Sequence, residues 1–107
     1  MTDALVVLCT VGSAEDAERL ARALVERRLA ACVNVVPGVV SVYRWREQVE
    51  RDEERLLVIK TRASRFEALK AGILELHPYE LPEVVALPVA AGHAPYLAWL
   101  AAGVTAE

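Results

Sequence analysis

Metal-binding side chains are scarce in this chain of 107 residues, which has only two cysteines and two histidines. Neither a C-x₂-C nor an H-x₃-H pair occurs, which argues against a closed zinc site within one chain. Cys9 and Cys32 both lie in apolar runs and are too few for a disulfide framework. No apolar run approaches the roughly 18 residues of a membrane span, and Met1-Thr2-Asp3-Ala4 has no positively charged leader region. An excess of basic charge is absent too. The net charge is −3, with Arg and Glu interleaved, so no field draws nucleic acid or an anionic membrane. A glycine-rich phosphate loop is lacking, and Asn34 and Gln48 are the only amide side chains. The expectation is a cytoplasmic protein of one domain, residues 1–107, with no nucleic-acid or membrane partner.

Apolar residues, by contrast, are abundant, at 55% of the chain. A small domain has much surface per residue, so this surplus points to an oligomer interface. Leu5 to Val11 reads as a strand, broken by Gly12. Ser13 with Asp16 three residues on resembles a capping box and opens a helix whose Ala17, Leu20, Ala21, Leu24 and Val25 share one face. Cys32 to Trp45 is strand-like, with Pro37-Gly38 as a bulge. A charged turn near Glu47-Gln48 leads into a second long strand, Val49 to Thr61, charged in its first half and apolar in its second. The charged half is expected to project as a hairpin arm. Ser64 and Glu67 form a second capping box, before a helix striped by Phe66, Leu69, Ile73 and Leu76. Pro78 stops that helix at His77. Val84 to Val89 is the last strand, sent to a sheet edge by Pro88, and a short helix over 95–102 follows.

The order β-α-β-β-α-β plus a terminal helix predicts an α+β, ferredoxin-like fold with an antiparallel sheet. Both main helices then cover one sheet face. The runs at 5–9, 56–59 and 84–87 nevertheless lack alternation, as strands buried on both faces do. A second copy of the chain is the simplest cover for the open face.

Residues 77–83, His-Pro-Tyr-Glu-Leu-Pro-Glu, carry most of the chemistry. An imidazole, a phenol and carboxylates converge between prolines that fix the backbone. Thiolate with imidazole suits copper or zinc, although free cysteines are most often simply buried. Cys9 or Cys32 with His77 lacks a third group to orient the ring, and apolar neighbours raise a thiol's pKa, so the chain is not read as an enzyme. The segment could also line a cleft with Tyr43, Trp45, Lys60, Tyr96 and Trp99, against the commoner fate of aromatics as core or interface packing.

Several stretches together resemble one family. Leu29 to Asn34 with Pro37-Gly38, Ser41 to Trp45, Glu54 to Thr61, His77 to Glu83 and Tyr96 to Leu100 are similar to the CutA family of divalent-cation tolerance proteins. The resemblance runs over almost the whole chain. It implies a compact homotrimer similar to the PII signalling proteins, with long hairpins pairing across subunits. It also implies that copper or another divalent cation is bound at Cys9 and His77. Some members carry a second histidine where this chain has Leu76. A sensor role is the alternative: a small molecule or protein partner in an intersubunit cleft of Tyr43, Trp45, Lys60, His77, Tyr79, Glu80, Glu83 and Trp99.

Overall fold

The computed structural model describes residues 2–105; Met1, the first residue of the N-terminal stretch read above, lies outside them, as do Ala106 and Glu107. The elements are β1 (Ala4–Val11), α1 (Ala14–Glu26), β2 (Cys32–Trp45), β3 (Gln48–Arg62), α2 (Phe66–Leu76), β4 (Val85–Pro88) and α3 (Ala94–Gly103). The sheet order is β2-β3-β1-β4 and every pairing is antiparallel, which is the ferredoxin-like α+β arrangement.

Alternation along β1 and β3 builds the core. Val7, Cys9 and Val11 face the same way as Leu57 and Ile59, and Leu20, Leu24, Leu69 and Ile73 from α1 and α2 close over them. Both helices therefore cover one sheet face. Ser13 caps α1, its hydroxyl accepting from the Asp16 backbone N–H at 3.1 Å. The bulge falls between Val36 and Val39, as Pro37-Gly38 predicts, and Gly38 takes the positive φ of 73° it requires. β4 lies at the sheet edge with Pro88 opposite Leu5.

One expected cap does not form. The chain enters α2 through a 3₁₀ turn over Ala63–Arg65, and no side chain caps the helix. The Ala63 N–H donates to the Asp3 carbonyl at 2.8 Å, and that tie to the start of β1 sets the entry geometry instead of Ser64.

The opposite sheet face stays open. Val85 and Leu87 are exposed, and their partners Leu8 and Val6 are only partly buried. α3 contacts β3 and β1 and buries Leu100 and Val104 outside the main core cluster, while Trp99 remains half exposed. Beyond the bulge, β2 and β3 continue as an arm with Val42 66% and Val49 67% exposed, which accounts for the 44 Å long axis.

Candidate functional site

The site begins where α2 ends. Pro78 favours an extended conformation at His77, which adopts φ −77° and ψ 135°, and the turn swings the imidazole against the end of β1. The His77 Nε2–H donates to the Thr10 carbonyl at 2.8 Å, and the Tyr79 backbone N–H donates to His77 Nδ1 at 3.1 Å. A carbonyl only accepts, so these partners assign the ring proton to Nε2. The Tyr79 ring lies 4.6 Å from the imidazole, and its hydroxyl donates to Glu54 Oε2 at 2.5 Å. Burial, and then the bond to Glu54, raises the pKa of that hydroxyl well above the ordinary phenol value. Gly12 makes room for it, since a Cβ there would stand 3.0 Å from the Tyr79 oxygen. One loop thus ties the end of β1 to the middle of β3.

Cys9 points into the core and is fully buried, with Sγ 3.8 Å from the same Thr10 carbonyl. Burial, followed by the Glu83 and Glu54 carboxylates, pushes its thiol up to about 12. Glu83 accepts from the Thr10 hydroxyl at 3.5 Å. The donor set is right in kind for a soft or borderline cation, but it is not assembled. Both ring nitrogens of His77 are bonded and Cys9 holds its proton. Among the described residues no three His, Cys, Asp or Glu side chains gather closely enough to hold a metal ion.

Between the hairpin arm and the 79–83 loop lies a cleft of about 950 Å³. Tyr43, Trp45, Tyr79, Glu80 and Glu83 line it, together with Asp52, Glu53 and Glu54. Tyr43 donates its hydroxyl to Asp52, and that bond pushes the phenol up to about 12. At the tip, Arg46 lies 5.1 Å over the Trp45 ring and pairs with Glu80 at 3.1 Å, joining arm to loop.

Lys60 and Trp99 do not line this cleft. Lys60 sits at the other end of β3, opposite Cys32 and Val6, where its ammonium donates to Asn34. Trp99 stacks against Tyr96 on α3, 5.4 Å between ring centres. The length of β3 separates Lys60 from the arm. Asp52 and Glu54 were missed because a charged run reads as solvated; Glu54 is in fact only 5% exposed. The available signal was its place at the junction of the charged and apolar halves of β3.

A family model described as CutA1 divalent ion tolerance protein matches residues 5–103. The chain belongs to the CutA1 family. It is 56% identical over 95 residues to the divalent-cation tolerance protein CutA of Thermus thermophilus, spanning 89% of this chain and 92% of that one. The chloroplastic CutA of Arabidopsis thaliana is 48% identical across 90% of this chain, which spans 53% of the plant protein's length. Among solved structures, CutA from Xylella fastidiosa superposes with a TM-score of 0.95 at 39% identity, over 97% of this chain and all of that one, at 100%. The hairpin arm, the 77–83 loop and the open sheet face are thus parts of a CutA fold.

Proposed function

We propose that the chain serves divalent-cation tolerance as a non-catalytic homotrimer that binds copper or another divalent cation through Cys9 and His77. The observation that supports this site is a convergence: Cys9 Sγ and His77 Nε2 both reach the Thr10 carbonyl oxygen, at 3.8 and 2.8 Å. Thiolate and imidazole together suit copper over harder cations. The ligands are latent as folded. Cys9 has to lose its proton and His77 has to give up a hydrogen bond, so binding is weak and strengthens as pH rises. Remaining positions fall to water, a carboxylate or a neighbouring copy. Weak binding suits a protein that meets cations only in excess. The two free thiols suit a reducing compartment, so the proposed setting is the cytoplasm.

The assembly reading rests on the open sheet face and the unpaired outer edge of β2, a strand of 14 residues. So long an edge invites pairing with another copy. The family resemblance supports three as the number of copies. Light scattering at micromolar concentration is expected to give the mass of three chains, and a monomer would overturn the assembly. Calorimetric titration with Cu²⁺ is expected to show lower affinity in both Cys9→Ser and His77→Ala than in the wild type. Equal affinity in all three proteins would remove the site.

A further inference from the structure

We infer that residues 77–84 form a strap that closes over Cys9 and opens by local unfolding, so that the strap rather than the core controls access to the thiol. Its purpose rests on the Cys9–His77 reading, since the strap then sets when that pair can meet a cation. The strap joins α2 to β4 without backbone pairing of its own. The His77 N–H closes α2 on the Ile73 carbonyl at 2.8 Å, and the β1–β4 ladder begins only at Leu8 and Val85. Among the described residues, none of 78–84 makes a backbone-to-backbone hydrogen bond in between. Pro78 and Pro82 have no N–H to give and stiffen the path. Side chains tie the segment down instead: His77 to the Thr10 carbonyl, Tyr79 to Glu54, Thr10 to Glu83, and Arg46 to Glu80. The last pair is exposed and therefore weak. Leu81, on the outer turn, is 72% exposed and adds little burial. A segment held in this way opens at a free energy well below that of the whole domain.

Cys9 lies on the border that the strap covers. One step past Leu8 and Val85, the β1–β4 register sets Cys9 beside Val84. A second step sets Thr10 beside Glu83, where the hydroxyl bond of 3.5 Å is found. Val84 packs against the core cluster that contains Cys9, and His77 bonds the same Thr10 carbonyl that the thiol approaches. With the strap down, Cys9 is fully buried. Its other cover is the core itself, with Leu57 on the paired strand and Leu20, Leu24, Leu69 and Ile73 from the helices. Parting those residues means unfolding the domain, so the strap is the less costly way out. Tyr79 is its main anchor and a positioning residue. The hydroxyl is bonded to a carboxylate only 5% exposed, and the backbone N–H of the same residue holds His77 Nδ1. A hydrogen bond to a charged acceptor is among the stronger kinds.

The test is the rate at which N-ethylmaleimide labels Cys9 in the intact, metal-free protein, followed by mass spectrometry at fixed pH. Cys32→Ser is the background, so that labelling reports Cys9 alone. Tyr79→Phe is expected to speed labelling about tenfold, the effect of losing one charge-assisted hydrogen bond. Glu54→Gln keeps an acceptor for the phenol and is expected to act in the same direction by a smaller factor; circular dichroism checks that both fold. Low urea should leave the rate nearly unchanged, because little surface is exposed on opening the strap. Leu100→Ala, in α3 and outside the main core cluster, should lower the urea midpoint yet leave labelling in water unchanged. Three results would overturn the strap. One is a rate indifferent to Tyr79→Phe and Glu54→Gln. The second is a rate that climbs steeply with urea and in Leu100→Ala, the mark of global unfolding. The third is labelling that slows as protein concentration rises, which would make a neighbouring copy the cover. Labelling needs no metal, so the two readings fail separately. Copper affinity indifferent to Cys9→Ser and His77→Ala, with labelling as expected, leaves the strap and removes the metal site.

Discussion

The two halves of β3 belong to one strand yet occupy different environments. From Leu56 to Lys60 the strand is sandwiched between β1 and β2 beneath the helices, with Leu57, Ile59 and the next β1-paired residue, Thr61, fully buried. From Val49 to Glu53 it pairs only with β2 and stands out in the arm. The inner half is closed by the chain's own helices. The outer half exposes Val49 beside a run of charged side chains, and none of the chain's helices covers it. The boundary is Glu54, a carboxylate drawn under Tyr79 at the point where one environment becomes the other. Folding stability resides in the first half; the second is the half that the proposed assembly would cover.

The sharpest way to break that comparison is to truncate one residue in each half. Leu57→Ala removes a fully buried side chain from the core cluster and is expected to cost about 3 kcal/mol of folding stability. That loss should be independent of protein concentration. Val49→Ala, at a position 67% exposed, should change the stability of a single chain by less than about 0.5 kcal/mol. Whatever further loss it shows should grow as the protein is diluted, because it acts through association. Urea unfolding at two protein concentrations separates the cases. Similar, concentration-independent losses in both would mean that the arm belongs to the core after all.

Much of this division is legible in the amino-acid order. The switch from charged to apolar within β3, the Pro37-Gly38 bulge, the Ser13 cap and the stop at Pro78 are local signals, and each acts where it lies. What escaped depends on tertiary contacts. Ser64 and Glu67 have capping-box spacing, but the backbone bond from Ala63 to Asp3 governs how the chain enters α2. The hairpin turns through Arg46 and Glu47, both at positive φ without Gly or Asn, because the pairing of Trp45 with Gln48 dictates a tight turn. Lys60 and Trp99 are polar-tipped or aromatic like the cleft residues, and only the three-dimensional path of β3 and α3 separates them from it. Whether His77 offers a free nitrogen could not be read from order either, since its partners lie in β1 and in its own turn.

A change of pH probes the boundary itself. Tyr79 keeps its proton in the folded protein beyond the ordinary value of 10, through burial and the bond to Glu54. The unfolded chain loses that proton near 10. Above this point the folded state therefore binds more protons than the unfolded state, and stability falls as pH rises. The contribution is complete below 10 and disappears as pH climbs toward the folded value. Tyr43, held up to about 12 by Asp52, is exposed and adds a weaker slope of the same sign. Urea midpoints on either side of pH 10 should decline in the wild type and decline less in Tyr79→Phe. Parallel declines would mean that the phenol does not carry the effect.

The most local probe is Gly12→Ala, which presses on the same boundary from the β1 side. Gly12 has no positive φ, so the backbone accepts alanine without strain. Its new Cβ would stand 3.0 Å from the Tyr79 oxygen, tighter than van der Waals contact, and the phenol is the end that can move. The expected cost is about 1 kcal/mol, the low end of overpacking. The shift should loosen the bond to Glu54 and so bring the Tyr79 titration, read by ultraviolet absorbance, back toward 10. Leu57 and its neighbours lie on the far side of the boundary and should not respond, so hydrogen exchange of the inner half of β3 should match the wild type. A lowered phenol titration with an unchanged inner half would show that the two environments of this strand are separately adjustable. A destabilised inner half would show that Glu54 is part of the core rather than its edge.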